Sequence, residues 1–551
     1  MQPESPSFWS LFAADAPSAT ESAPPSFWSL FANDELSNDG SAAYQAGPQA
    51  SCLAFDPNQM YWAMRNLPVT EALKHLAIIG VTGSGKTTLI QLFLQSIARR
   101  FQPGFEQPEQ LILFDGKCDA IPQLASLGFY PEDENVYILS PHDERCAVWD
   151  LAEGTKTPLM ARHLASLLVP RETHSSAPYF WEAARDLVYA MILGLNHSEQ
   201  NWTFRDLICA LDIQERIQRI TARDERAKFI AKRIFDDDKT AAGVLSSLGG
   251  KIVKFEPVAA LYHSAKNAKK FTIEKFLKNP GVLVLGDDPA LHDSLWPISA
   301  LLLKALTQEI LRQPDSRQPR HWFVLDEFPA MEEVGCIHDL LRRGRSKGTS
   351  VLIGTQGLEA LHGIYGEAAT EDILAQCANK TFLRAGAPTT AAWAERFFGH
   401  VRTTETGCSE SWSKEGGSFS RSYSTVDRSL FLASTFLNLP LPVRGGSIIS
   451  ISDVPCLGST FITRRWFDEL LSWLKPKSTI PAVLPRLNVE DQILKGWSPE
   501  EDELFMEPPE PGPESKGKKK SAPSAGPKKP KTPPYLPNAS RRRPKDLPPD
   551  F

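Results

Sequence analysis

From about residue 73 the chain alternates between short apolar runs that end in polar or turn residues and longer stretches whose apolar residues recur at helical spacing. The run "HLAIIG" predicts a buried strand, and after a Gly-rich turn "KTTLIQLFLQSIARRF" predicts a helix. Further strands are predicted at "LILFDGK" (111–117), "VYILSP" (136–141), "VLVLGD" (282–287), Trp322–Leu325 and "SVLIGT" (350–355). Short apolar runs of this kind suit strands covered by helices on both faces. Between about residues 157 and 275 the strand signal stops, and "MARHLASLLV", "FWEAARDLVYAMILGL", "TFRDLICAL" and "RAKFIAKRIF" all read as helices. The expectation is an α/β core carrying an all-helical insertion.

The turn after the first of these strands has a recognisable chemistry. Gly80, four residues, then Gly85, Lys86 and Thr87, set between strand and helix, form a phosphate loop. The expected nucleotide-binding residues are Gly80, Val81, Thr82, Gly83, Ser84, Gly85, Lys86, Thr87 and Thr88. The glycines let backbone N–H groups curl around the β-phosphate, Lys86 reaches the β and γ oxygens, and Thr87 offers a hydroxyl to Mg²⁺. Asp115 closes the next strand, where it either orients Mg²⁺-bound water or caps the following turn.

The segment "HWFVLDEFPAMEEVGCIHDLLRRGRSKGTSVLIGTQ" (321–356) supplies candidates for hydrolysis. Asp326, at the end of a strand, can hold the Mg²⁺ shell, and Glu327 can polarise the attacking water. Gln356 ends a strand where it can sense the γ-phosphate or align water; the alternative is an ordinary residue opening a helix. Arg345, in the cationic turn "RRGRSKG", can stabilise transition-state charge on a neighbouring subunit's nucleotide or else form a surface ion pair. Lys86, Glu327, Gln356 and Arg345 are thus the catalytic candidates, with ATP and Mg²⁺ as the implied ligands.

Composition narrows the setting. The 551 residues are 42% hydrophobic and 23% charged, enough to bury a sizeable core in more than one domain. No two of the eight cysteines lie two or three positions apart, so neither a zinc knuckle nor a dithiol pair is encoded locally, and a reduced, cytoplasmic setting fits. The absence of Lys or Arg before Arg65 leaves no basic n-region for a secretory leader. Apolar stretches such as "WPISALLLKAL" fall short of the ~20 residues that span a bilayer. Charge is uneven: residues 511–551 carry 11 Lys and Arg against 3 acids, which leaves −14 on the rest of a chain whose net charge is −6. That Pro- and Lys-rich tail buries too little to offset its ordering entropy and is expected to be disordered. It serves either as a loose contact for nucleic acid or anionic lipid, or as a solubilising tail. At the other end "PSFWSLFAAD" (6–15) returns as "PSFWSLFAND" (25–34) inside a polar, acidic segment. The two copies are expected to dock in a partner's groove, the alternative being that they pack on the protein's own surface.

The order of phosphate loop, Asp-ended strand, helical insertion, "VLDEFPAMEEV", "GRSKG" and Gln-ended strand resembles the type IV secretion coupling proteins, the TraD/TrwB-like ATPases of conjugation. "KTFLRAG" (380–386), the "LPLP" step at 439–442 and "SIISISDVPCLGSTFITRRW" extend the resemblance to about residues 70–470. It implies a RecA-like P-loop NTPase core (70–155 and 276–470), an inserted all-α domain (156–275), an N-terminal disordered segment (1–55) and a C-terminal extension (471–551) ending in a disordered tail. It also implies a hexameric ATPase that moves DNA toward a secretion channel, with channel or relaxosome proteins as partners; the sequence shows no base-reading motif, so contact with DNA is expected to be largely independent of its sequence. By matched position Asp326 and Glu327 would be the Walker B pair, Gln356 the sensor, and Arg345 the residue reaching across the subunit interface. Family members usually begin with transmembrane helices, whereas this chain begins with the acidic repeat segment. Recruitment to the inner membrane through partners, or an anchor on a separate small membrane protein, is therefore expected. The competing expectations are a related ring ATPase acting on protein during secretion or pilus assembly, and a nucleotide-gated adaptor recruited through its repeats.

Overall fold

The computed structural model describes residue 56 and residues 58–506, apart from 102–107, 171–177, 199–200, 266–267, 289–290, 414–415, 458 and 487. The aromatic repeats and the basic tail, with the expectations attached to them, lie outside the described residues. In chain order the strands are β1 (Gln59–Trp62), β2 (Arg65–Pro68), β3 (Leu76–Ile79), β4 (Gln110–Asp115), β5 (Val136–Leu139), β6 (Val148–Trp149), β7 (Lys270–Phe271), β8 (Gly281–Gly286), β9 (Ser316–Leu325), β10 (Lys347–Thr355), β11 (Asn379–Phe382), β12 (His400–Ser413), β13 (Gly416–Ser429), β14 (Ser447–Val454) and β15 (Ser459–Trp466).

Nine of them form one sheet in the order β15-β14-β11-β3-β10-β9-β4-β8-β5. The strands from β11 to β5 are mutually parallel, and β14 and β15 add an antiparallel edge. Successive side chains of a strand point to opposite faces, and the core follows that period. Leu76, Ile78, Leu111, Leu113, Trp322 and Val324 pack on one face with the helix Lys86–Arg99. Ala77, Ile79, Ile112, Phe114, Phe323 and Leu325 pack on the other, in an apolar cluster that continues into the helical insertion.

The insertion runs between β6 and β7 as the helices Pro158–Leu168, Pro178–Asn196, Phe204–Leu211, Gln214–Thr221, Glu225–Phe235, Asp238–Ile252 and Glu256–Ser264. Polar caps set their starts: Thr157, Asp224 and Asp237 each accept a first-turn N–H, and Thr203 with Asp206 makes a reciprocal capping box. The parallel pairing of β6 with β7 closes its base.

Two features were not anticipated from the sequence. The strands β12 and β13, fourteen residues each, form a long hairpin that leaves the sheet, with Phe419 and Tyr423 exposed. Further on, the segment after the helix Phe467–Trp473 crosses back and clasps the insertion. It first joins the core, where Glu144 N–H donates to the Leu484 carbonyl at 2.8 Å and Arg486 N–H to that of His142 at 2.9 Å. It then meets the buried Arg205, which donates to the carbonyls of Lys495 and Gly496 at 2.8 and 2.7 Å and to both Glu501 oxygens at 2.9 Å. Arg216 pairs with Asp502 at 2.8 Å and lies 4.8 Å over the Trp497 ring, whose Nε1 donates to Asp206 at 2.8 Å.

Two histidines, His75 just before β3 and His321 within β9, are buried in the neutral form. His75 accepts the Val351 N–H at Nδ1 and therefore donates from Nε2 to the Leu341 carbonyl, 2.8 Å away. Burial pushes its pKa down to about 4, against the lift of that carbonyl and with the nearby Arg345 charge adding to the fall. Burial likewise pushes His321 down to about 3. Both folded values lie below the unfolded one, so the unfolded chain takes up protons first as pH falls. The stabilisation is whole above pH ~6.5 and is lost toward pH 4 for His75 and pH 3 for His321, by on the order of 3 to 5 kcal/mol per histidine. Urea midpoints should therefore stay level from pH 8 to 6.5 and fall from 6.5 to 5.5, before most carboxylates titrate. A level midpoint through that interval would refute the assignment.

Candidate nucleotide site

The site is assembled at the carboxyl ends of adjacent parallel strands, where an open α/β sheet presents side chains to a ligand. Strand β10 lies between β3 and β9, so the residue that follows it falls between the phosphate loop and the Asp-Glu pair. Strand β4 lies on the other side of β9, which brings the turn after Asp115 to the same carboxylates.

Gly80 to Gly85 turn from β3 into the helix Lys86–Arg99, held by Gly80 N–H to the Thr355 carbonyl at 3.0 Å and Val81 N–H to that of Arg384 at 2.9 Å. Gly85 has φ of 95°, and a Cβ there would come within 2.4 Å of Ile448 Cδ1. A side chain on Gly80 would meet Ser84 Oγ at 2.6 Å and Leu383 Cβ at 2.8 Å. The loop therefore needs glycine for conformation at one end and for space at both.

Lys86 is 5% exposed and points at the acidic pair, its Nζ 3.3 Å from Glu327 Oε2 and 3.8 Å from Asp326 Oδ1. Gln356 donates from Nε2 to Glu327 Oε1 at 2.9 Å, and its own Oε1 accepts the Thr82 hydroxyl at 3.1 Å. Glu327 thus has one oxygen on the phosphate-loop lysine and the other on the residue after β10. Its φ of 62° is a conformation that a non-glycine residue rarely adopts, found here on the residue aimed into the crevice.

Lys117 was missed in the sequence, where it reads as the polar end of a strand. Its Nζ lies 2.8 Å from Asp326 Oδ2 and 3.9 Å from Glu327 Oε2. Burial draws the ammonium pKa down, but the hydrogen bond and charge of Asp326 raise it overall. Of the two roles open to Asp115, the geometry takes the cap: its carboxylate accepts the N–H groups of Asp119 and Ala120 at 3.1 and 3.0 Å, opening the helix Ala120–Ser126. Thr87, Asp115, Lys117 and Asp326 line one small recess.

Arg345 is not brought to this cluster. It sits before β10, at the opposite end of a nine-residue strand that ends beside the phosphate loop, a separation of roughly 30 Å at ~3.3 Å per residue. It is exposed, and the surface ion pair weighed for it is not formed among the described residues.

The residues suit a magnesium nucleotide. Ser84 Oγ and Asp326 Oδ1 are buried polar atoms without a hydrogen-bond partner among the described residues, at the loop and at the carboxylate where a phosphate and a hard cation would meet. A hydroxyl and a carboxylate are the oxygen donors that Mg²⁺ takes, usually through water.

The sequence matches the type IV secretion-system coupling protein DNA-binding domain over residues 62–458. The chain belongs to this family. Coupling protein TraD of Escherichia coli (strain K12) is 23% identical over 344 residues, covering 60% of this chain and 45% of TraD, so the chain spans less than half of that relative's length. Among solved structures, the unbound conjugative coupling protein TrwB superposes with a TM-score of 0.58 at 18% identity, covering 79% of this chain and 93% of the other. TrwB in complex with ADP and Mg²⁺ gives 0.57 at 18%, covering 78% and 92%. TrwB with a non-hydrolysable ATP analogue gives 0.58 at 17%, covering 81% and 99%. The expected family and the P-loop NTPase fold with its helical insertion are both met. Among the described residues of this coupling protein, no helix is long and apolar enough to cross a membrane.

Proposed function

We propose that this coupling protein hydrolyses Mg·ATP at the interfaces of a homo-oligomer, expected to be a hexamer, and uses the energy to move DNA toward a secretion channel. The observation that supports this best is the double engagement of Glu327, by Lys86 on one oxygen and Gln356 on the other. A protein that only bound nucleotide would need the loop and the lysine but neither a carboxylate set for water nor a neighbouring amide to align it.

In this reading the N–H groups of residues 80–88 and Lys86 hold the phosphates, and Thr87 and Asp326 hold the Mg²⁺ shell. The bound Mg²⁺ would neutralise charge on the β and γ oxygens. Glu327 takes the proton of the attacking water, while Gln356 keeps that carboxylate oriented and reports on the γ position through Thr82. Arg345, far from its own subunit's loop, is assigned to the nucleotide of the next subunit. The nucleotide-bound TrwB structures support the choice of ligand. The family match, described as a DNA-binding domain, supports the choice of polymer. Contact with DNA would run through local Lys and Arg and depend on salt, since the protein's total charge is −6.

The deciding experiment is phosphate release by the purified full chain with and without single- and double-stranded DNA, across protein concentration and ionic strength. The expected result is Mg²⁺-dependent turnover that DNA stimulates and that rises more steeply than linearly with protein. Turnover indifferent to DNA under all conditions would point instead to an ATPase acting on protein, and nucleotide binding without turnover to an adaptor.

A further inference from the structure

We propose that Lys117 is the resident counter-cation of Asp326, its ammonium neutralising the carboxylate that a divalent cation needs, so that metal enters the site only with a nucleotide that displaces the lysine. This rests on the Mg·ATP reading above.

Asp326 and Glu327 are adjacent carboxylates with side chains only 17% and 21% exposed. Two such charges side by side need compensation, and two lysines supply it. They are not equivalent. Lys86, at 6% side-chain exposure, is fixed in the first turn of the phosphate-loop helix, and its part is set by the loop: phosphate oxygens draw it away from the carboxylates. Lys117, at 41%, stands on the turn after β4, with room to swing, and makes the shorter contact of the two, 2.8 Å to Asp326 Oδ2.

The recess beside it, lined in part by Thr87, Asp115, Lys117 and Asp326, has a volume of about 30 Å³. That is room for about one water-sized species. Thr87 and Asp326 therefore border a space the size of one cation, with Lys117 on its wall. A divalent cation and an ammonium held against one carboxylate repel each other strongly. In the nucleotide-free protein the lysine has the site; when phosphates arrive they add negative charge, bring the metal and recruit Lys86. The displaced Lys117 has a second acceptor within reach, Glu327 Oε2 at 3.9 Å. Metal binding is thus conditional on nucleotide, through the charge on Lys117.

The test is a titration of the nucleotide-free full chain with Mn²⁺, read by the electron paramagnetic resonance signal of the free ion. Lys117→Met is expected to bind Mn²⁺ at least tenfold more tightly than the unsubstituted protein, with Lys117→Gln as a second neutral variant should the first not fold. Lys117→Arg keeps the charge and should stay within about threefold of the unsubstituted protein. Adding Asp326→Asn to Lys117→Met should abolish the gain, and saturating ADP should bring all the Asp326-bearing proteins within a few fold of one another. Equal Mn²⁺ affinity in the neutral variants and the unsubstituted protein, or a gain that survives Asp326→Asn, would overturn the proposal. Failure of the underlying nucleotide reading looks different: no form of the chain would bind ADP with Mn²⁺ present.

Discussion

Glu327→Gln should lower the turnover number by about 10²–10⁴ while leaving nucleotide affinity within a few fold, because proton abstraction by a placed carboxylate contributes a factor of that size. The substitution keeps the length of the side chain and an oxygen for the Gln356 amide, which now lies 2.9 Å from Glu327 Oε1. It removes the basic lone pair and the ion pair with Lys86, but phosphates provide Lys86 with another anion. Binding should therefore persist, followed with a fluorescent nucleotide, while phosphate release collapses. The backbone is not an added variable, since Gln meets the same φ of 62° with the same Cβ. Turnover within threefold of the unsubstituted protein would mean that the water is activated elsewhere and that Glu327 serves only to balance Lys86.

A second large effect is expected at Arg345. Arg345→Ala should cost about 10³–10⁵ in turnover if its guanidinium stabilises the transferring phosphoryl group. The structure makes this a statement about oligomers. The nine residues of β10 separate Arg345 from its own phosphate loop, so its only route to a nucleotide is through another copy. Arg345→Ala and Glu327→Gln should each be inactive alone, yet a mixture should recover activity, because some interfaces then pair an intact Arg345 with an intact Glu327. A mixture as inactive as its components would exclude that arrangement, and an Arg345→Ala protein with full turnover would return the residue to the solvated surface.

How much of this was legible depends on how local each signal is. The strands β3, β4, β5, β8, β9 and β10 contain short apolar runs that alternate between two covered faces, and the phosphate loop announces itself through glycine spacing, so this part of the core and the loop could be read directly. Asp326 and Glu327 follow an apolar run and were visible for the same reason. Lys117 was not, because its meaning depends on β4 lying beside β9, a neighbour more than two hundred residues away in sequence. The bond from Thr82 to Gln356 is hidden in the same way. The hairpin of β12 and β13 escaped because its Ser, Thr, Glu and Arg residues are polar on both faces and leave no burial period to detect. The clasp around the insertion did leave one trace: Ser498 and Glu501, three apart, are a capping-box pair, and they bond reciprocally at the start of Pro499–Met506. Nothing in that pair names Arg205 as the partner.

The family match ends at residue 458, yet the backbone that secures the insertion to the core runs from about residue 481 to 506. An expression fragment trimmed to the matched span would therefore leave the guanidinium of Arg205 facing water where it now holds two carbonyls and a carboxylate, and would strip the Trp497 ring from beside Arg216. The stretch that the family description covers and the stretch that holds the shape are not the same length of chain.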